Sequence, residues 1–335
     1  MLYEKWLDNW DERRVEKGNK PKIKSAFMLG ADLAFPNSAK VGSIREFCEL
    51  AVRACEDPEF FAEQGNSDAG FELNESWLKF PSDISTDIEQ NNTVWAKVTR
   101  SAGSEMALIV FHHWNAENQN RLIADFFKMC GITVLEIALP YHFQRSRPGA
   151  AYADYMISAN IGRTIQSVRQ GVVDGRKVIR WLRREGYSKI SVFGMSLGSW
   201  VAGLVAAHDK AVSKASLFLT AGSLADMVWT GRATEALYES ISDEVELADL
   251  RKAWSPLNLE NYSKKLARSD LDLQVILANR DKVVLPELSH NFLRSLEYSG
   301  CAPDFLELNC GHYSSGLPPY ILIAGFRLKS LLGRY

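Results

Sequence analysis

Apolar and polar positions change rhythm along this chain, and the change divides it. Residues 1–75 carry one clear helical signal. Ser43-Ile44-Arg45-Glu46 reads as a capping box, with Ser43 capping the Glu46 N–H and the Glu46 carboxylate reaching back. Ile44, Phe47, Cys48, Ala51 and Ala54 follow at helical spacing, and Asp57-Pro58 closes the run. The pattern predicts an N-terminal helical extension over 1–75, packed as an accessory on the rest. From Trp77 the rhythm becomes strand-like. Residues 77–84 and 93–99 read as antiparallel strands joined by polar Asn91-Asn92. Strands then alternate with helices: strands over 106–111, 132–139, 190–193 and 215–220, helices over 118–130, 164–184 and 197–208. Such alternation implies parallel pairing and right-handed crossovers. Two further strands, 273–278 and 304–308, flank a helix over 286–296. Residues 222–266 interrupt the pattern. Met227, Trp229, Leu237, Tyr238, Leu247, Leu250 and Trp254 are spaced there for helices. An insertion of that length without a role is uncommon, so it is expected to cap the main domain, 76–335.

Composition narrows the class. Hydrophobic residues are 46% and charged residues 24% of the 335, as in soluble globular proteins. A net charge of −2 and a pI near 6.3 give no electrostatic footprint for nucleic acid or an anionic membrane. No apolar run approaches the roughly 20 residues of a membrane span. The start of the chain lacks a signal-peptide core. The five cysteines show no zinc spacing. A cytoplasmic protein with reduced thiols and no metal is expected.

The densest chemical signal is Gly194-Met195-Ser196-Leu197-Gly198, a G-x-S-x-G pattern between a predicted strand and a predicted helix. So sharp a turn strains the central residue and exposes its hydroxyl, and the flanking glycines remove Cβ atoms that would clash. A serine needs a base, and the base an orienting acid. Asp281 follows the strand 273–278, and His312 follows the strand 304–308. In an open parallel sheet these strand ends share one rim, where crevices form. Asp226, after the strand 215–220, is a rival acid by the same logic. Asp281 also suits the turn ahead of the helix 286–296, and the two roles are compatible. His112, His113 and His142 follow strand ends and are placed to line a pocket. His208 and His290 read as helix-end or surface residues.

The elbow, the acid after the next-to-last strand and the late Gly311-His312 resemble the α/β-hydrolase superfamily. Leu139-Pro140-Tyr141-His142 is similar to a stretch in a poorly characterised branch of it. The likeness spans roughly 92–335. It implies the α/β-hydrolase fold, a mostly parallel twisted sheet with helices on both faces. It also implies Ser196 as nucleophile, His312 as general base and Asp281 as the residue orienting it. No metal or organic cofactor is implied. Oxyanion donors are expected at the Leu197 and Trp114 N–H groups, with His113 where the family usually has glycine. A positive φ there would strain His113. Arg145 or Arg147, near the rim, would hold a substrate carboxylate or phosphate; the alternative is that both face solvent or pair with acids of the cap. Met227, Trp229 and Tyr238 would make the pocket apolar. The expected activity is hydrolysis of an ester or related acyl bond in a small-molecule substrate. An acyltransferase or lyase on the same triad, or a non-catalytic binding protein of the same fold, are the alternatives.

Overall fold

The computed structural model describes residues 2–38, 40–63 and 70–334. Among them, nine strands form one sheet: β1 (Glu72–Asn74), β2 (Trp77–Pro81), β3 (Thr93–Thr99), β4 (Met106–Phe111), β5 (Thr133–Ile137), β6 (Lys189–Met195), β7 (Val212–Phe218), β8 (Asp272–Ala278) and β9 (Asp304–Leu308). Their order is β1-β2-β3-β5-β4-β6-β7-β8-β9. β1, β2 and β3 pair antiparallel, as do β3 and β5. Every later pairing is parallel. The expected hairpin is present, with Trp77 opposite Lys97 and Pro81 opposite Thr93. Its first strand stops at Pro81, which has no N–H to continue the ladder. The central strands β4 and β6 are nearly all buried because helices cover both faces.

Along the chain, α1 (Leu2–Asn19), α2 (Ala31–Ala34) and α3 (Ile44–Glu56) precede the sheet. The capping box of α3 is formed on both sides, between Ser43 and Glu46. α4 (Arg121–Met129), α5 (Ile161–Arg184) and α6 (Leu197–His208) connect the strands. α5 begins three residues before the periodicity suggests, because the Asn160 side chain caps the Arg163 N–H. β7 likewise begins before the apolar run, through Ser213 and a buried Lys214. The insertion is helical: α7 (Leu224–Thr230), α8 (Glu235–Ile241), α9 (Leu247–Ala253) and α10 (Ser263–Leu266). α11 (Pro286–Tyr298) and α12 (Tyr320–Leu332) complete the chain. Residues from α5, α6 and α11 enter one apolar cluster, and residues from α4 and α12 another, so the sheet is covered on both sides.

The extension lies against the inserted segment as well as the core. Lys24 Nζ pairs with Asp243 at 2.9 Å, and the Ser25 N–H donates to Ser240 Oγ at 3.0 Å. Cys48 Sγ contacts the Asp249 carbonyl at 3.4 Å, linking α3 to α9. Residues 64–69 of the extension lie outside the described residues. Among the described residues, no helix is long and apolar enough to cross a membrane. The five cysteines are all free thiols.

Candidate active site

The chain runs from β4 to β5 on one side, then returns past β4 to β6 on the other. The crevice at such a reversal lies outside the carboxyl ends of the strands. Ser196 stands there, immediately after β6, at φ 52° and ψ −125°. That conformation is costly for any residue with a Cβ and persists only when its surroundings enforce it. They do: a Cβ on Gly194 would lie 2.2 Å from the Gly198 carbonyl, and one on Gly198 2.2 Å from the Phe111 carbonyl. The Ser196 N–H donates to the Phe218 carbonyl of β7 at 2.8 Å, and its own carbonyl accepts from the Ser199 N–H at 2.7 Å. The turn is therefore wedged between β4, β6 and β7.

Asp281 and His312 meet on the same rim. His312 Nδ1 donates to Asp281 Oδ2 at 2.7 Å. The other carboxylate oxygen accepts from the Val283 and Val284 N–H groups at 2.7 and 2.9 Å. Asp281 thus orders its own turn and orients the imidazole together. The rival acid, Asp226, is occupied by Arg251, with Arg251 Nε at 2.9 Å from Oδ2. Among the described residues no hydrogen bond joins the Ser196 hydroxyl to His312; such contacts are often long without substrate.

The loop after β4 is braced by two histidines. The Leu139 N–H donates to His112 Nε2, and the Asn115 N–H donates to His142 Nε2, both at 3.0 Å. Each ring then donates from Nδ1, His112 to the His113 carbonyl at 2.8 Å and His142 to the Pro140 carbonyl at 2.9 Å. The two rings, 4.6 Å apart, tie the β4 loop to the β5 loop. An imidazolium has no lone pair to accept with, so both must stay neutral. Burial accordingly lowers His142 to about 4 and holds His112 well below its ordinary value. His142 is fully engaged here, so the expectation that it binds substrate is corrected to a bracing role.

The same loop corrects the concern over His113. The positive φ falls on Asn115, at 58°, and His113 is not among the positive-φ residues. Asparagine tolerates that region. His113 keeps an open edge to solvent, but the protein around its ring, then His312 and Arg14, push its pKa down to about 4. Trp114 is held from several sides. Its indole N–H donates to the Ala153 carbonyl at 3.0 Å, and Lys22 Nζ lies 4.3 Å from its ring. Lys22 also donates to the Ala233 carbonyl at 2.6 Å, and burial lowers its pKa to about 8. Leu197, at the first turn of α6, carries an N–H with no intrahelical acceptor.

Arg145 is not a rim residue. It is fully buried, paired with Asp174 at 2.9 Å, and donates to the Asn91 and Ala138 carbonyls. Its role is to hold the β5 loop, which corrects the expectation that it binds substrate. Arg147 pairs with Asp154, outside the insertion, at 2.6 Å. Met227 is buried, and Trp229 meets the partly exposed Tyr238 edge-on at 5.0 Å. The carbonyl of Met227 accepts from Gly231, where a Cβ would lie 2.4 Å from the Val283 carbonyl. The insertion therefore touches the turn that carries Asp281. His208 ends α6, as expected, with its half-buried ring between Phe61 and Tyr262, and His290 is partly exposed near Glu307.

Sequence patterning gave no notice of Asp11 or Lys22. Leu7, Asp11 and Val15 are the buried residues of α1, spaced i, i+4, i+8. A carboxylate inside an otherwise apolar stripe was the available signal, since it must be bonded to be buried.

No protein-family model matches the chain, and no curated protein does. Solved structures do. An esterase of Pyrococcus furiosus is similar over 93% of this chain and 99% of its own, at 15% identity and a TM-score of 0.52. An acetyl xylan esterase from Paenibacillus sp. R4 is similar over 90% of this chain and 99% of its own, at 14% identity and a TM-score of 0.55. A puromycin-hydrolyzing peptidase of Mycobacterium tuberculosis matches 72% of this chain at 13% identity and a TM-score of 0.56, but only 37% of the peptidase is covered. With the strand order, the crossovers and the serine turn at the reversal of the sheet, these likenesses lead to one conclusion: the chain has the α/β-hydrolase fold.

Proposed function

We propose that this protein is a serine hydrolase that cleaves an ester or related acyl bond. The observation that carries the reading is the strained Ser196 turn on the same rim as the 2.7 Å Asp281–His312 pair. In this reading Ser196 Oγ attacks the acyl carbonyl and His312 Nε2 takes its proton. Asp281, on Nδ1, keeps Nε2 free to accept and stabilises the imidazolium as it forms. The imidazolium then protonates the leaving alcohol. A water deprotonated by His312 clears the acyl-enzyme and restores Ser196. The Leu197 and Trp114 N–H groups would hold the oxyanion, with Trp114 steadied by Ala153 and Lys22. Met227, Trp229 and Tyr238 would shape the acyl side of the pocket. The esterases and peptidase among the similar structures support the reaction class.

A fluorophosphonate probe and p-nitrophenyl esters test the reading. Ser196→Ala is expected to abolish labelling and lower kcat by roughly three powers of ten or more, with Asp281→Asn nearly as harmful. Asp226→Asn should leave the chemistry intact. Labelling of Ser196→Ala at the wild-type rate overturns the proposal, and a larger loss in Asp226→Asn than in Asp281→Asn reassigns the acid.

A further inference from the structure

We infer that Asp11, on α1, is a positioning residue for the base: its carboxylate holds the loop that carries His312. The inference rests on the role proposed above for His312. Asp11 is 8% exposed, between Leu7 and Val15 on the buried stripe of its helix. A carboxylate so placed is costly unless its oxygens are bonded. Oδ1 accepts from the Tyr313 N–H at 2.6 Å and the Ser314 N–H at 3.1 Å. Oδ2 accepts from Ser314 Oγ at 2.5 Å. Ser314 Oγ in turn accepts from the Gly311 N–H at 2.9 Å. Gly311 is what permits the approach, because a Cβ there would sit 2.5 Å from the Asp11 carboxylate. Asp11 therefore grips the backbone after His312 directly, and reaches the Gly311 N–H before it through the Ser314 hydroxyl.

These are charge-assisted bonds, stronger than neutral ones. Asp281 fixes the direction of the imidazole from one nitrogen, but it leaves the loop's own position to other contacts. Asp11 supplies several of them, beside the Ser315 hydroxyl on the His312 carbonyl. The neighbouring acids of α1 hold the opposite loop. Asp8 forms a fork with Arg280, and Glu12 reaches Arg232 at 2.5 Å and Lys282 at 3.5 Å. Arg280 and Lys282 flank Asp281. The helix thus spans the acid and base turns from outside, and its contact with the base turn is the buried one.

The test uses the full chain. In Asp11→Ala, kcat for p-nitrophenyl butyrate and the rate of fluorophosphonate labelling should fall about 10- to 100-fold, the scale of a displacement near 1 Å. KM should hardly move, because no substrate contact is lost. Asp11→Asn keeps an acceptor for the Tyr313 and Ser314 N–H groups but loses the one for the Ser314 hydroxyl, so it should recover only part of the loss and stay severalfold below wild type. Sodium formate, small enough to occupy the vacated carboxylate position, should raise kcat of Asp11→Ala and leave wild type unchanged. Wild-type kcat in folded Asp11→Ala overturns the inference, as does formate that raises Tm without raising kcat. If Asp11→Ala fails to fold, Asp11→Asn decides alone: a lower kcat at unchanged KM supports the inference, and wild-type kcat overturns it. Ser196→Ala is run alongside. Should it stay active, the hydrolase reading has failed; should it be inactive while Asp11→Ala matches wild type, only the positioning role has.

Discussion

The serine turn and the histidine turn sit on one rim but are secured in opposite ways. Ser196 is held by its own neighbours, with two glycines flush against the backbone of β4 and α6. The His312 loop is held by a carboxylate about 300 residues away in sequence. The strain of the serine turn is enforced by backbone already packed in the core, with Gly198 against Phe111 and the Ser196 N–H on Phe218. A remote clamp adds ordering that the loop's own sequence cannot supply. The first kind of support writes a motif into the chain, and the second leaves only a misplaced charge.

Breaking the local side should do the most damage. In Gly198→Ala the new Cβ would meet the Phe111 and His112 carbonyls at 2.2 and 2.4 Å. Backbone cannot yield as a flexible side chain can. Loss of folded protein, or destabilisation beyond about 4 kcal/mol, is expected by thermal melts. Retention of the wild-type Tm would show that the turn can relax.

The histidine braces sharpen the comparison with an intermediate, pH-dependent effect. His142 is neutral in the fold and titrates at about 4, below its ordinary 6.5. The unfolded chain therefore binds the extra proton first as pH falls. The stabilisation is fully present above about 6.5 and is lost as pH drops toward 4, at about 1.4 kcal/mol per pH unit while only the unfolded state is protonated. His112 adds in the same direction. His142→Gln, which keeps an acceptor but cannot titrate, should flatten the fall of Tm between pH 6.5 and 4. An unchanged slope would place the acid sensitivity elsewhere.

The smallest effect belongs to the outer part of the remote clamp. Asp8 and Arg280 are 38% and 28% exposed. Asp8→Ala should cost less than about 1 kcal/mol and shrink further in high salt. A loss as large as that of Asp11→Ala would mean that the exposed contact, not the buried one, carries the clamp.

Legibility in the sequence follows the same division. The alternation of strands and helices, the serine turn, Asp281 and His312 all declare themselves over short spans, and the fold confirms the parallel sheet they imply. Boundaries slipped where a polar residue starts an element, as Asn160 does for α5 and Lys214 does within β7. Arg145 was misplaced because arginines are mostly exposed, and its pairing with Asp174 joins a loop to a helix. α1 was missed because its exposed faces are crowded with charge and tryptophan, which blurs the periodicity of Leu7, Asp11 and Val15. The braces of His112 and His142 join loops 27 residues apart, and no local pattern encodes which ring atom meets which amide.

The span between Asp11 and Ser314 has a consequence in time. A ribosome adds about 5–20 residues per second, so α1 leaves it on the order of 15 to 60 s before Ser314 is made. Throughout that interval Leu7 and Val15 have no complete surface to bury against, and Asp11 has no loop to grip. The many charges of α1 then act as a solubilising coat for a helix awaiting its partner. Residues that look dispensable in the finished protein would keep the nascent one from aggregating.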